Sequence, residues 1–192
     1  MLAAFHRRKP DTLPMTSVKH SLGGYNRFVS GSGSLPDSQS TYDTITRLTA
    51  FNAIEAAIDY VQKNQLSSFP FVFASAAEAG WPDMPGGKQL ETYLAPDWLR
   101  RYLVAKRAVE EKLLGSQPYL RPVIVRPSLV YSLDRPASYL PVGAFFVGNR
   151  IGLPFVDRPV TVQSLGNAIV RSISRDNVVG IQRYKEIDQL NE

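Results

Sequence analysis

Two short runs, Phe69-Pro70-Phe71-Val72-Phe73-Ala74 and Pro122-Val123-Ile124-Val125-Arg126, constrain this chain more than any other feature. Both are strand-like, and the first, aromatic, β-branched and free of charge, has the pattern of a strand covered on both faces rather than on one. Ser67-Ser68 precede the first run, and Pro127 stops the second. Pro70 is the one residue at odds with a strand ladder. Between the runs, Pro96-Asp97 opens a helix whose positions Trp98, Leu99, Tyr102, Leu103, Ala105, Val109 and Leu113 recur at helical spacing, and Gly115 ends it. A strand, helix, strand order brings the second strand back by a right-handed crossover, which makes the sheet parallel and the class α/β.

Upstream, Ser40 or Thr41 caps a helix expected over 41–63, with Ile45, Leu48, Phe51, Ile54, Ile58 and Val61 on one buried face. Residues 20–40, rich in Gly, Ser and Pro, read as loop. So does the stretch holding Pro82, Pro85 and Gly86-Gly87. From Tyr139 to Val160 the pattern is mixed and broken by prolines; Val162 to Ile173 then predicts a helix and Ile181 to Ile187 a last strand. A length of 192 residues fits one domain. It divides into a basic, irregular segment 1–40 and a folded region 41–192.

Composition narrows the chemistry. The chain has no cysteine, which removes disulfides, thiolate metal sites and a cysteine nucleophile. Its two histidines, His6 and His20, lie in the irregular N-terminal stretch, so neither a histidine triad nor a zinc site is expected, and no metal is assigned. Acid/base work falls to Tyr, Lys, Asp or Glu. The net charge of +5 comes from basic residues spread along the chain without interleaved aromatics, which argues against nucleic acid. No apolar run reaches the roughly 20 residues of a transmembrane helix. Residues 1–20 carry Arg7, Arg8, Lys9 and Lys19 against Asp11 alone, the composition either of a mitochondrial transit peptide or of a disordered basic tail on a cytoplasmic protein.

Tyr102 and Lys106, four apart on the predicted helix, project from the same face. A phenol titrates near 10, and an adjacent ammonium that favours the phenolate suits it to general acid/base catalysis near neutral pH. The same pair also fits a plain helix: Tyr102 as part of the apolar face, Lys106 as an ion-pair partner of Glu110 one turn on. Ser75 follows the first strand at its carboxyl end, where open α/β sheets bind ligands, and here too a simple strand ending is the alternative. Arg126-Pro127 and Tyr131 follow the second strand, where Arg126 has a strand-capping alternative.

Taken together, Ser75 with Gly80, Tyr102 with Lys106, and Arg126-Pro127 with Tyr131 resemble, in order and spacing, the extended and atypical short-chain dehydrogenase/reductases. Thr49 to Ala57 resembles the helix that precedes the serine strand in that family. Val160 to Ile169 resembles a later stretch that usually carries an acidic residue, absent here, so the resemblance covers about residues 40–175. Within the family the chain looks closest to the mitochondrial group linked to ubiquinone biosynthesis. The resemblance implies an NAD(P)-dependent oxidoreductase with Tyr102, Lys106 and Ser75 as catalytic residues and Lys106, Arg126 and Pro127 against the cofactor, acting on a small apolar carbonyl or quinone-like substrate. A noncatalytic accessory or assembly protein of a membrane-associated respiratory or quinone-synthesis complex is the alternative. For that role the apolar stretches Tyr139 to Val147 and Ile151 to Val156 are either a membrane-facing surface or the lining of a pocket or core.

The departure from the family is at the N-terminus. A dinucleotide-binding fold opens with a strand, a Gly-x-Gly-x-x-Gly turn and a helix whose N-terminus meets the pyrophosphate. Gly31-Ser32-Gly33-Ser34-Leu35-Pro36 puts proline in place of the third glycine and follows no strand. It reads as a loop, or as a loop near the cofactor edge. The expectation is a partial doubly wound, Rossmann-like parallel sheet lacking its first strands, a truncated form of a longer reductase, with weak or absent NAD(P) binding by this chain.

Overall fold

The computed structural model describes residues 42–132, 147–148, 150 and 156–192. Strand β1 (Phe69–Ala74) pairs in parallel with β2 (Leu120–Val125), Phe69 opposite Leu120 and Ala74 opposite Val125. The short β5 (Gly180–Gln182) pairs in parallel with the other edge of β2, giving the order β1-β2-β5. Strands β3 (Val130–Tyr131) and β4 (Val160–Thr161) form a separate parallel pair.

Alternation along the strands sends neighbouring side chains to opposite faces. Phe71, Leu120 and Ile124 pack against α1 (Thr49–Lys63) and α3 (Asp97–Leu114) through Ile54, Ala57, Val61, Val109 and Leu113. Val72, Val123 and Val125 pack on the opposite side with Leu165 and Ala168 of α4 (Val162–Ser174) and Ile187 of α5 (Tyr184–Gln189). Both faces are covered, as the Phe69–Ala74 run predicts for its strand, and the class is α/β with a small parallel sheet.

The two prolines in the strands sit where a missing donor does no harm. The N–H groups of Phe69 and Ser75 both donate toward β2, so Pro70, of opposite parity, turns its nitrogen away from that pairing. On β2, Arg126 N–H donates to Gln182 of β5, which puts Pro122 on the β5 side, one residue before pairing with β5 begins at Val123.

Several expectations change. The helix over 41–63 is an α helix only from Thr49; Asp43–Leu48 is a π turn. Its wider i→i+5 pattern alters the angular step, and Ile45 and Leu48 lie largely exposed instead of continuing the buried face. The proposed caps Ser40 and Thr41 lie outside the described residues. The stretch read as loop after β1 holds a 3-10 helix, Ala77–Asp83, and α2 (Gly87–Leu94). Gly86, with φ of 76°, makes the left-handed turn that starts α2. A Cβ on Gly87 would lie 1.7 Å from the Trp81 carbonyl oxygen, so only glycine fits there. The last predicted strand is three residues long and gives way to α5, because Glu186 turns back to accept the Arg183 N–H and caps a new helix. The segment Gly31 to Pro36, and Tyr139 to Phe155 apart from 147–148 and 150, lie outside the described residues.

Candidate functional site

The carboxyl ends of β1, β2 and β5 come together on one side of the sheet. Ser75 extends the ladder beyond β1 by donating its N–H to Val125 O at 2.8 Å. By alternation its side chain falls on the α3 side, with Phe71 and Phe73. Ala77 N–H donates to Pro127 O at 2.9 Å, tying the turn after β1 to the turn after β2. Arg126 N–H donates to Gln182 O at 2.8 Å and ties β2 to β5.

Helix α3 crosses above this edge and delivers Tyr102 and Lys106. Lys106 Nζ donates to Ala74 O, the last carbonyl of β1, at 2.6 Å. It lies 4.7 Å from the centre of the Phe73 ring and 5.4 Å from that of Tyr102, both within cation–π range. Burial pushes the Lys106 amine down to about 8, with the Glu110 charge pulling the other way. Tyr102 is half-buried, packs with Ala76, Ala79, Leu99, Leu103 and Trp81, and meets Tyr42 edge-on at 5.6 Å between ring centres.

Ser75 is 6% exposed, and its hydroxyl has no hydrogen-bond partner. A buried hydroxyl without a partner costs about 1–3 kcal/mol. Ser128, just past Pro127, also holds an unpartnered, enclosed hydroxyl. The structure therefore brings Tyr102, Lys106 and the end of β1 together, with two hydroxyls at adjacent strand ends whose hydrogen-bonding capacity the described residues leave unused.

Arg126 and Pro127 both have partners within the fold. Both are buried. Arg126 forms a fork-to-fork pair with Glu110, Nε to Oε1 at 3.0 Å and Nη2 to Oε2 at 2.5 Å, and its Nη1 lies 3.8 Å from Asp83. Gly80 makes room for this: a Cβ there would come within 2.7 Å of Arg126 Nη1. The Pro127 carbonyl is taken by Ala77. The simpler alternative for Lys106, an ion pair with Glu110, is not formed either: both Glu110 oxygens accept from Arg126, and Lys106 Nζ turns to Ala74 O.

Next to this group, Asp157 is buried and held by Arg183 through Nε at 3.1 Å and Nη2 at 2.7 Å. Burial pushes the Glu78 carboxyl up; a hydrogen bond from its own backbone pulls it down, and the Asp157 charge adds to the rise. Sequence reasoning missed Glu110, Ser128, Asp157 and Arg183 as parts of the site. For Glu110 a signal was present, because Tyr102, Lys106 and Glu110 repeat at intervals of four on one helix face.

Among the described residues there is no cluster of His, Asp or Glu able to hold a metal ion, and no helix long and apolar enough to cross a membrane. Comparison with family models, with curated proteins and with solved structures finds no match to this chain.

Proposed function

We propose that this chain carries the proton-handling part of a short-chain dehydrogenase/reductase-type site on a Rossmann-like sheet, interconverting an apolar carbonyl or quinone-like compound and its reduced form. The observation that carries this reading is the position of the Lys106 ammonium, between the Tyr102 ring and the last carbonyl of β1, one residue from the unpartnered Ser75 hydroxyl. Tyr102 passes its phenolic proton to the substrate oxygen, Ser75 donates a hydrogen bond to the same oxygen, and Lys106 favours the phenolate that remains. NAD(P)H, when bound, supplies the hydride that no side chain can.

The residues fit that cofactor only in part. Lys106 keeps donors for a ribose hydroxyl, since an ammonium has three and Ala74 takes one. Arg126 and Pro127 are committed to Glu110 and Ala77, so they support the site rather than touch the nucleotide. Among the described residues no glycine-rich turn joins a strand to a helix N-terminus. A mitochondrial setting in quinone synthesis belongs to the same proposal and rests on the basic composition of residues 1–20; import of a reporter fused to those residues checks it.

The direct test is Tyr102→Phe, assayed with NADPH and a panel of apolar ketones and quinones. Loss of the proton donor lowers turnover by about 10²–10⁴-fold, with the melting temperature little changed. A Tyr102→Phe variant that restores full function in cells while the parent shows no turnover supports instead the noncatalytic accessory role.

A further inference from the structure

A lysine and a glutamate four apart on a helix are natural partners, yet Lys106 and Glu110 on α3 do not pair. Arg126, arriving from the end of β2, occupies both Glu110 oxygens with a planar fork that an ammonium cannot match. Glu110 is 3% exposed and Arg126 8%, so this pair is made away from water and has no competing solvent. Lys106 is left to turn the other way, toward β1.

We propose that Arg126 is a positioning residue: by holding both oxygens of Glu110, it keeps that carboxylate from Lys106 and leaves the ammonium on the Ala74 carbonyl between the Phe73 and Tyr102 rings. Gly80 borders the same device: a Cβ there would come within 2.7 Å of Arg126 Nη1, so glycine leaves the guanidinium its space. Of the charged and titratable groups, the Tyr102 ring lies beside Lys106 and Glu110 acts on its charge from the same helix, while Arg126 holds Glu110, Asp83 lies by Arg126, and Tyr42 packs on Tyr102. β1 offers a ring and a carbonyl but no charge. Of these groups Glu110 is the one whose charge raises the Lys106 titration, against the larger effect of burial. Arg126 thus governs how much of that charge Lys106 receives. The role of Lys106 rests on the reductase reading, whereas the arrangement itself does not.

The test follows Lys106 alone, on the full chain without substrate or nucleotide, so that failure of the reductase reading and failure of this proposal are distinct results. Lysines are ¹³C-methylated, the Lys106 signal is assigned by its loss in Lys106→Arg, and its midpoint is read by NMR against pH. In Arg126→Met, Glu110 is released to Lys106 and the midpoint rises by about 1 unit or more; an unchanged midpoint in folded protein overturns the proposal. Leaving Glu110 buried without its partner is strongly destabilising, so two further variants decide the matter should Arg126→Met not fold. In Glu110→Gln the amide keeps an acceptor for Arg126 while the charge is gone, and the midpoint falls below that of the parent; no change or a rise overturns the proposal. In Arg126→Met combined with Glu110→Leu, the midpoint stays at or below the parent value. A rise there means that Arg126 acts on Lys106 directly, which overturns it as well.

Discussion

Arg121 enters β2 and Arg126 leaves it, and the surroundings of the two differ. At the first end, Arg121 Nη1 donates to the carbonyls of Ser172, Arg175 and Val178 at 2.7–3.1 Å, and Nη2 donates to Ile173 O at 2.9 Å. These carbonyls lie at the end of α4 and in the turn to β5, where a cation is well placed. At the other end, Arg126 is bonded to both oxygens of Glu110, but beside it the Ser75 and Ser128 hydroxyls have no partner among the described residues, and Lys106 lies between rings on a backbone carbonyl rather than on a carboxylate. One end of the strand uses its polar groups to close the fold. The other leaves donors and a shifted amine at the carboxyl edge of a parallel sheet, where α/β proteins bind ligands. On the proposed reading, the contrast separates an architectural end from a chemical one within six residues of the same strand.

Two substitutions test that contrast, and they differ in size. Arg121→Met removes a 10% exposed guanidinium from four carbonyls and destabilises the fold by about 2–4 kcal/mol, measured by urea denaturation. Turnover per folded molecule stays at the parent level; a selective loss of turnover blurs the distinction between the ends. Ser75→Ala removes a hydroxyl that the fold does not use, so stability changes by less than about 1 kcal/mol, in the stabilising direction. Turnover falls all the same. A clear loss of stability in Ser75→Ala means that the hydroxyl serves the fold and belongs with the architectural end.

Much of this was legible before the fold. Both main strands, the limits of α3 and the placement of Ser75 and Tyr102 follow from local signals: strand-like runs, helical spacing, and a proline and a glycine at the two ends of α3. Other features depend on residues far apart in sequence. That Arg126 bonds Glu110, and that Gly80 leaves it room, requires three segments to meet. No periodicity encodes such a meeting. The π turn at Asp43–Leu48 carries the same apolar spacing as an α helix, so its pattern could not be told from one. Helix α2 was hidden because its eight residues open on the second glycine of a Pro-Gly-Gly breaker. The short reach of β5 was missed because Ile181 to Ile187 mixes apolar and charged residues, and the capping role of Glu186 decides where the strand stops.

The Lys106 titration in the parent protein tests the account of the chemical end most directly. An ammonium enclosed between the Phe73 and Tyr102 rings and bonded to Ala74 titrates near 8. Its folded value lies below its unfolded one, so the native state releases this proton first, and the contribution of Lys106 to stability rises as pH increases from about 8 toward 10.5. A midpoint near 8 that is lost in Lys106→Arg is the predicted result. A midpoint near the ordinary lysine value of 10.5 places the ammonium in water, away from Tyr102 and the end of β1, and contradicts the site as described.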